Sequence, residues 1–226
     1  MAINKPYGGP EELPRIIPLF PLEGALLLPR CQLPLNIFEP RYVAMVDAAL
    51  AGSRLIGMIQ PAFDPTGRPM AGGAALASIG CVGRITEIAE SGDGRYILNL
   101  SGIARFRLLA EIEADTPFRQ GEVDFATFAD DFKPGAGGDA VDRGALLRTL
   151  AEYLDANQLE ADWESIKDAP NEALVNALAM MSPFGPREKQ ALLEAATLAN
   201  RAEMLIAVTQ MAMARTAGGD GDNSLQ

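Results

Sequence analysis

At 226 residues and 24.0 kDa, with 48% hydrophobic and 22% charged residues, the chain has ordinary globular composition and enough length for one good core or two modest ones. A net charge of -11 and a pI near 4.5 argue against binding a phosphate backbone, which needs a basic surface for counterion release. No apolar run approaches the about 20 residues needed to cross a bilayer, and MAINKPYGGPEELP lacks a signal-peptide core, so the expectation is a cytoplasmic protein with no nucleic-acid and no membrane partner.

Residues 1–14 are polar and rich in proline and glycine, which predicts a flexible leader. The stretch from Ile16 to Tyr42 then packs two apolar extended runs and a helix start into a short space. Pro14, Pro18, Pro21, Pro29 and Pro34 exclude a continuous helix, because each removes an amide donor and holds the residue before it extended. A strand is predicted at Ile16 to Phe20, a turn at Pro21 to Ala25, and a kinked extended segment at Leu26 to Asn36. Pro40 suits a first helical position, and Tyr42, Val43, Val46 and Leu50 follow at helical spacing to Ala51.

Leu55 to Gln60 reads as a buried strand, and Pro61 to Gly73 as a long loop carrying Phe63 and Met70. Ala77 to Ala89 is a strand, Ser91-Gly92-Asp93-Gly94 a hairpin turn, and Arg95 to Leu100 the return strand. In that strand Tyr96, Leu98 and Leu100 alternate with Ile97, Asn99 and Ser101, giving one mainly apolar face. Gly102 interrupts the pattern as a bend or bulge, a further strand follows from Ala104 to Ile112, and Gly121 to Phe128 is the last strand candidate.

Near Asp130 the periodicity changes from two to 3.6 across a glycine-rich linker, residues 131–139. The expected layout is a leader (1–14), a β-rich domain (15–130), the linker, a helical bundle (140–215) and a disordered tail (216–226). Leu146, Leu147, Leu150 and Leu154 form one apolar stripe, Leu174, Leu178 and Met181 another, and Leu198, Leu205 and Val208 a third. Pro170 and Ser182-Pro183-Phe184-Gly185-Pro186 divide the helices, and Arg187 to Arg215 is readable as one helix or two. Asp220 and Asp222 in the tail are read as solvated charge.

Particular motifs carry a family resemblance. PLFPL, followed by Leu35-Asn36-Ile37-Phe38-Glu39-Pro40-Arg41-Tyr42 and an amphipathic helix, resembles the substrate-binding (N-terminal) domain of the Lon ATP-dependent proteases. Ile79-Gly80-Cys81-Val82-Gly83-Arg84-Ile85 and Gly102-Ile103-Ala104-Arg105-Phe106-Arg107 are similar to two further strands of that family. The resemblance implies an α+β fold: twisted sheets forming a partly open pseudo-barrel with a helix, then a C-terminal α-helical bundle with a break near Thr197. Full-length Lon chains continue into an ATPase module and a Ser-Lys peptidase, whose motifs this sequence does not contain, so a stand-alone bacterial-type substrate-binding protein is expected.

The sequence has no histidine, which removes the usual neutral-pH base, the His-dependent nucleophile pairs and histidine metal sites. No lysine sits in a phosphate-binding glycine loop, and Gly135 to Gly138 reads as linker rather than as a dinucleotide fingerprint. Cys31 and Cys81 read as small buried hydrophobes, and no cofactor or metal is expected. Glu11-Glu12 and Asp130-Asp131 read as solvated charge, and Arg41 and Arg105 as partners of acids or clamps on a peptide terminus. Two functions survive: a non-catalytic module binding unfolded or apolar polypeptide or a protein partner, acting in quality control or as an adaptor, and a small-molecule enzyme using a carboxylate or Cys81. The first is favoured, since peptide docking needs no titrating group. Leu26 and Leu27 at a turn edge, with Phe63 and Met70 on the long loop, are the candidate contacts, unless the loop residues fold back onto the domain.

Overall fold

The computed structural model of the chain describes residues 4–64 and 75–219, with side chains to 215. Six strands, β1 (Ile16–Pro21), β2 (Gln32–Ile37), β3 (Leu55–Ile59), β4 (Ile79–Glu90), β5 (Tyr96–Ile112) and β6 (Arg119–Asp124), form one sheet in the order β2-β5-β4-β3-β1-β6. Because β6 also pairs with β5, strands β1, β3, β4, β5 and β6 close on themselves, and β2 lies outside the ring. The ring is not a regular barrel. Register shifts between Val82 and Gly83, Ile85 and Glu87, and Leu108 and Ala110 bend it. Strands β1 and β3 run parallel, which requires a crossover, and β2 with helix α1 (Pro40–Ala51) supplies it.

Helix α1 starts on Pro40 as its sequence predicts, but its buried face is Tyr42, Met45, Val46 and Ala49, while Leu50 is exposed. Inside the ring, Ile17, Leu19, Leu55, Val82, Ala104 and Phe106 are fully enclosed, each large side chain worth about 1.5–3 kcal/mol by burial. Gly80 makes room for Phe106, whose ring would lie 2.4 Å from any added Cβ.

The strand expected to end at Leu100 runs on through Gly102 as one 17-residue element. Gly102 does not break it but bulges it, pairing with Gly83 where the register shifts. It also lets the Leu28–Cys31 turn close in, since an added Cβ would lie 2.0 Å from the Leu28 carbonyl oxygen. Arg30 N donates to Gly102 O and Gly102 N to Cys31 O, both at 2.8 Å. At the other end β6 stops at Asp124, short of the expected Phe128. The chain turns into 3₁₀ helix from Ala126 to Phe132, which buries Phe128 and Asp131. Residues 4–14, expected to be a flexible leader, carry a 3₁₀ turn at Pro10–Glu12, a buried Leu13 and a Tyr7 packed on the core.

Five more helices follow: α2 (Arg143–Ala156), α3 (Trp163–Asp168), α4 (Asn171–Met181), α5 (Pro186–Glu194) and α6 (Leu198–Gly219). Asp142 caps α2 by accepting from Ala145 N at 2.8 Å, and Asp162 caps α3 by accepting from Glu164 N and Ser165 N, both at 3.1 Å. The break near Thr197 separates α5 from α6, with the Thr197 hydroxyl accepting from Asn200 N.

The chain divides into two compact units, Met1–Pro134 with Pro183–Leu193, and Gly135–Ser182 with Glu194–Gln226. Residues 183–193, expected in the bundle, thus group with the sheet. The reason is a buried amide: Gln60 Nε2 donates to Pro186 O at 3.0 Å and to Gln190 Oε1 at 3.1 Å, and Gln190 Nε2 donates to Ile79 O at 3.1 Å. In the second unit α2 and α4 pack on α6, burying Leu146, Leu174, Val175, Ala202 and Leu205. The tail expected to be disordered is helical to Gly219, and Asp220 and Asp222 lie outside the described residues. No helix among the described residues is long and apolar enough to cross a membrane.

Candidate functional site

Three of the four residues expected as peptide contacts lie among the described residues. Leu26 and Leu27 are 3% and 1% exposed, which corrects the expectation that a turn edge leaves them available. Two glycines leave room for Leu27: its methyl groups lie 2.8 and 3.3 Å from where Cβ atoms of Gly83 and Gly102 would be. Phe63 is half-buried, and Met70 lies outside the described residues.

The sheet unit exposes several large apolar side chains, Ile16 and Leu109 among them, and one group of them lies where β2 meets the distal half of the β4–β5 hairpin. Phe38, directly after β2, is 61% exposed, and Ile97, opposite Asn36 of β2 and Ala89 of β4, is 55% exposed. Ile88, opposite Leu98, surfaces on the other face because successive side chains alternate. A signal for Ile97 was present in the sequence, since it is the apolar member of the otherwise polar row formed with Asn99 and Ser101. Phe38 stands in the Leu35–Tyr42 motif at the helix start, and nothing in that motif marks it as exposed.

Carboxylates dominate the rim of this corner. Glu87, Glu90, Asp47 and Asp93 are exposed, and Glu39 is half-exposed and bonded to Arg41 at 2.8 Å. Arg95 pairs with Asp93 at 3.1 Å. Ser91 donates to the Asp93 carboxylate and holds it below the usual range. Tyr96 ties the hairpin to α1 by donating to Asp47 Oδ1 at 2.8 Å, a bond that pushes its phenol pKa up. The guanidinium of Arg41 lies 4.6 Å from the centre of the Tyr42 ring, which stacks against Phe20 at 4.2 Å. Burial raises the Tyr42 phenol above its ordinary pKa. Among the described residues strand β2 pairs only with β5, and Pro34 at its centre has no amide to offer a further strand, so that edge is a poor template for sheet extension.

A second feature of the same unit is a cavity of about 320 Å³ whose lining includes Tyr7, Arg30, Arg84, Thr86, Ser101 and Phe132. Beside it lies a buried ion pair. Arg105 meets Asp131 through Nε at 2.8 Å and Nη2 at 2.9 Å, its backbone amide donates to the same carboxylate, and its guanidinium covers the Phe128 ring at 4.4 Å. Asp131 is thus not the solvated loop charge expected from its acidic neighbour. Arg105 is the partner of an acid, as expected, and the pair is buried. Cys81 is 1% exposed within β4 with its Sγ against the Val82 carbonyl, an enclosed position that gives the thiol-enzyme alternative no support.

The model of one family, described as the ATP-dependent protease La (LON) substrate-binding domain, matches residues 16–210. The chain belongs to that family. Among solved structures, the N-terminal domain of Mycobacterium avium complex Lon protease is similar over 86% of this chain and 98% of its own, with a TM-score of 0.63 at 19% identity. A Lon N-terminal domain protein from Xanthomonas campestris gives 0.60 at 23% identity, over 85% of this chain and 97% of its own. At such identities these likenesses establish the shared fold. Lon protease 2 of Myxococcus xanthus is 29% identical over 50% of this chain, and Lon protease of Heliobacterium modesticaldum 25% identical over 84%. This Lon-family chain spans only 13% and 23% of their respective lengths.

Family membership gives the matched motifs a physical reading in this chain. In Gly102-Ile103-Ala104-Arg105-Phe106-Arg107, the glycine admits the Leu28–Cys31 turn, Arg105 holds Asp131, and Phe106 fills the ring. In Phe38-Glu39-Pro40-Arg41-Tyr42, Pro40 opens α1, Glu39 and Arg41 pair, Tyr42 packs inward and Phe38 is left to solvent.

Proposed function

We propose that this chain is a non-catalytic recognition module that holds unfolded polypeptide for a proteolytic or quality-control partner. The observation that carries this reading is the exposure of Phe38 and Ile97 at one corner of the sheet unit, inside a rim of carboxylates. Membership of a substrate-binding domain family supports it, and the blocked edge at Pro34 favours side-chain docking over strand addition. With a net charge of -11, the preferred segments are basic and apolar. Without avidity the expected affinity is micromolar, about 8 kcal/mol.

The test is fluorescence anisotropy with two labelled unstructured peptides of equal hydrophobicity, one basic and one acidic. The basic peptide binds more tightly, and Phe38→Ser with Ile97→Ser weakens binding at least tenfold while the melting temperature stays within about 2 °C, as for exposed positions. Unchanged affinity in the double variant removes this corner as the site. Steady turnover of ATP or casein that tracks this chain through purification removes the non-catalytic reading.

A further inference from the structure

The Arg84 guanidinium keeps donors that no side chain or carbonyl of the described residues takes up. Arg84 is 7% exposed, yet of its five N–H donors only Nη1 meets a protein acceptor among the described residues, the Lys5 carbonyl at 2.9 Å. Its planar face is covered by the Tyr7 ring at 4.3 Å. Its remaining nitrogens are not buried, and Arg84 lines the 320 Å³ cavity, so those donors are available to an acceptor that enters it.

The rest of the lining selects the chemistry. A second arginine, Arg30, reaches the cavity from a left-handed backbone conformation (φ 63°) rarely adopted outside glycine and asparagine. It is held there by the Gly102 carbonyl through its amide and by the Asp131 carbonyl through its side chain. The one carboxylate in the lining, Asp131, is already neutralised by Arg105, so the cavity has positive character inside a strongly acidic protein. Thr86 and Ser101 add hydroxyls, while Tyr7, Ile103 and Phe132 supply apolar walls. Arginine forks match a planar carboxylate, the apolar walls suit a hydrocarbon body, and the volume sits at the small end of ligand pockets.

We propose that this cavity binds a carboxylate carried on a small apolar body, from either the C-terminal residue of a polypeptide or a free organic acid. In the first case it deepens the recognition reading above, because it would read the end of a chain held elsewhere on the same unit.

The test is titration of the full chain by calorimetry and by nitrogen-15 NMR. The probes are 3-phenylpropionate and its amide, and a basic hexapeptide ending in Leu-Phe with a free or an amidated C-terminus. At least one acid binds tenfold or more tighter than its amide and shifts the Ser101 and Gly102 amides. Discrimination by the peptide alone assigns the site to chain ends, and discrimination by 3-phenylpropionate assigns it to free acids; either supports the proposal. Arg84→Met abolishes the difference. Since that variant removes a buried group and can unfold, Arg30→Asn serves beside it: asparagine tolerates the left-handed backbone, so folding is kept while the preference drops at least threefold. Equal binding of acid and amide, no binding of either acid, or equal competition by inorganic phosphate overturns the proposal. Equal binding of both peptides, with 3-phenylpropionate binding no tighter than its amide, refutes the cavity and leaves the recognition module standing. Discrimination by 3-phenylpropionate with no peptide binding does the reverse.

Discussion

Replacing Asp131 by alanine tests whether the sheet unit depends on its buried ion pair. The side chains of Arg105 and Asp131 are 6% and 9% exposed, so solvent screens little of their interaction. The substitution strands a guanidinium that now makes charged bonds of 2.8 and 2.9 Å, and it deprives the Arg105 amide of its acceptor. Breaking a buried pair from one side costs about 3–5 kcal/mol. Replacing both partners, Arg105→Met with Asp131→Leu, removes the stranded charge and leaves an unpaired amide, a loss of about 1–3 kcal/mol, together with a Leu193 carbonyl that loses its 3.2 Å donor from Arg105. The double variant should therefore be more stable than Asp131→Ala alone. Because the sole tryptophan, Trp163, lies in the helical unit, its fluorescence is the wrong probe. Urea unfolding followed by amide exchange at Ala104 to Arg107 reads the sheet directly. A loss below about 1 kcal/mol for Asp131→Ala would place the pair among solvated surface bridges and refute the reasoning.

Gly102→Ala drives a Cβ against the Leu28 carbonyl, so a melting-temperature scan should show a drop of many degrees, with the Arg30 turn displaced. Gln60→Leu strips partners from Gly24 N and Pro186 O, about 1–3 kcal/mol for each group left buried, and amide exchange in α5 should rise before that in β1. Hydrogen bonds from Ser165 hold the Asp162 carboxylate below its ordinary pKa. Its capping of α3 is therefore complete above about pH 4 and is lost as pH falls through the depressed value, visible in the Ser165 amide resonance and absent in Asp162→Ala. The Tyr42 phenol is raised by burial, so the folded state holds that proton more tightly. Stability is kept below about pH 10 and lost as pH rises through the folded value, and Tyr42→Phe should flatten that part of a melting-temperature profile.

Short-range features were legible in the sequence because their causes lie within a few residues. Pro40 starts α1, and Gly92 and Gly94 take the positive φ that the hairpin turn requires, whereas the break near Thr197 was implied only by the family resemblance. Alternation located the halves of β5, and a short apolar run located β3. What escaped depends on partners distant in the chain. Leu27 is buried because Gly83 and Gly102 leave it room, and Asp131 is buried because Arg105, 26 residues away, meets it. Residues 183–193 join the sheet because Gln60 bonds to Pro186, 126 residues on. The exposed corner at Phe38 and Ile97 and the cavity at Arg84 have the same origin. A side chain's type states what it would cost to bury, but only the tertiary arrangement decides which neighbours remain to cover it.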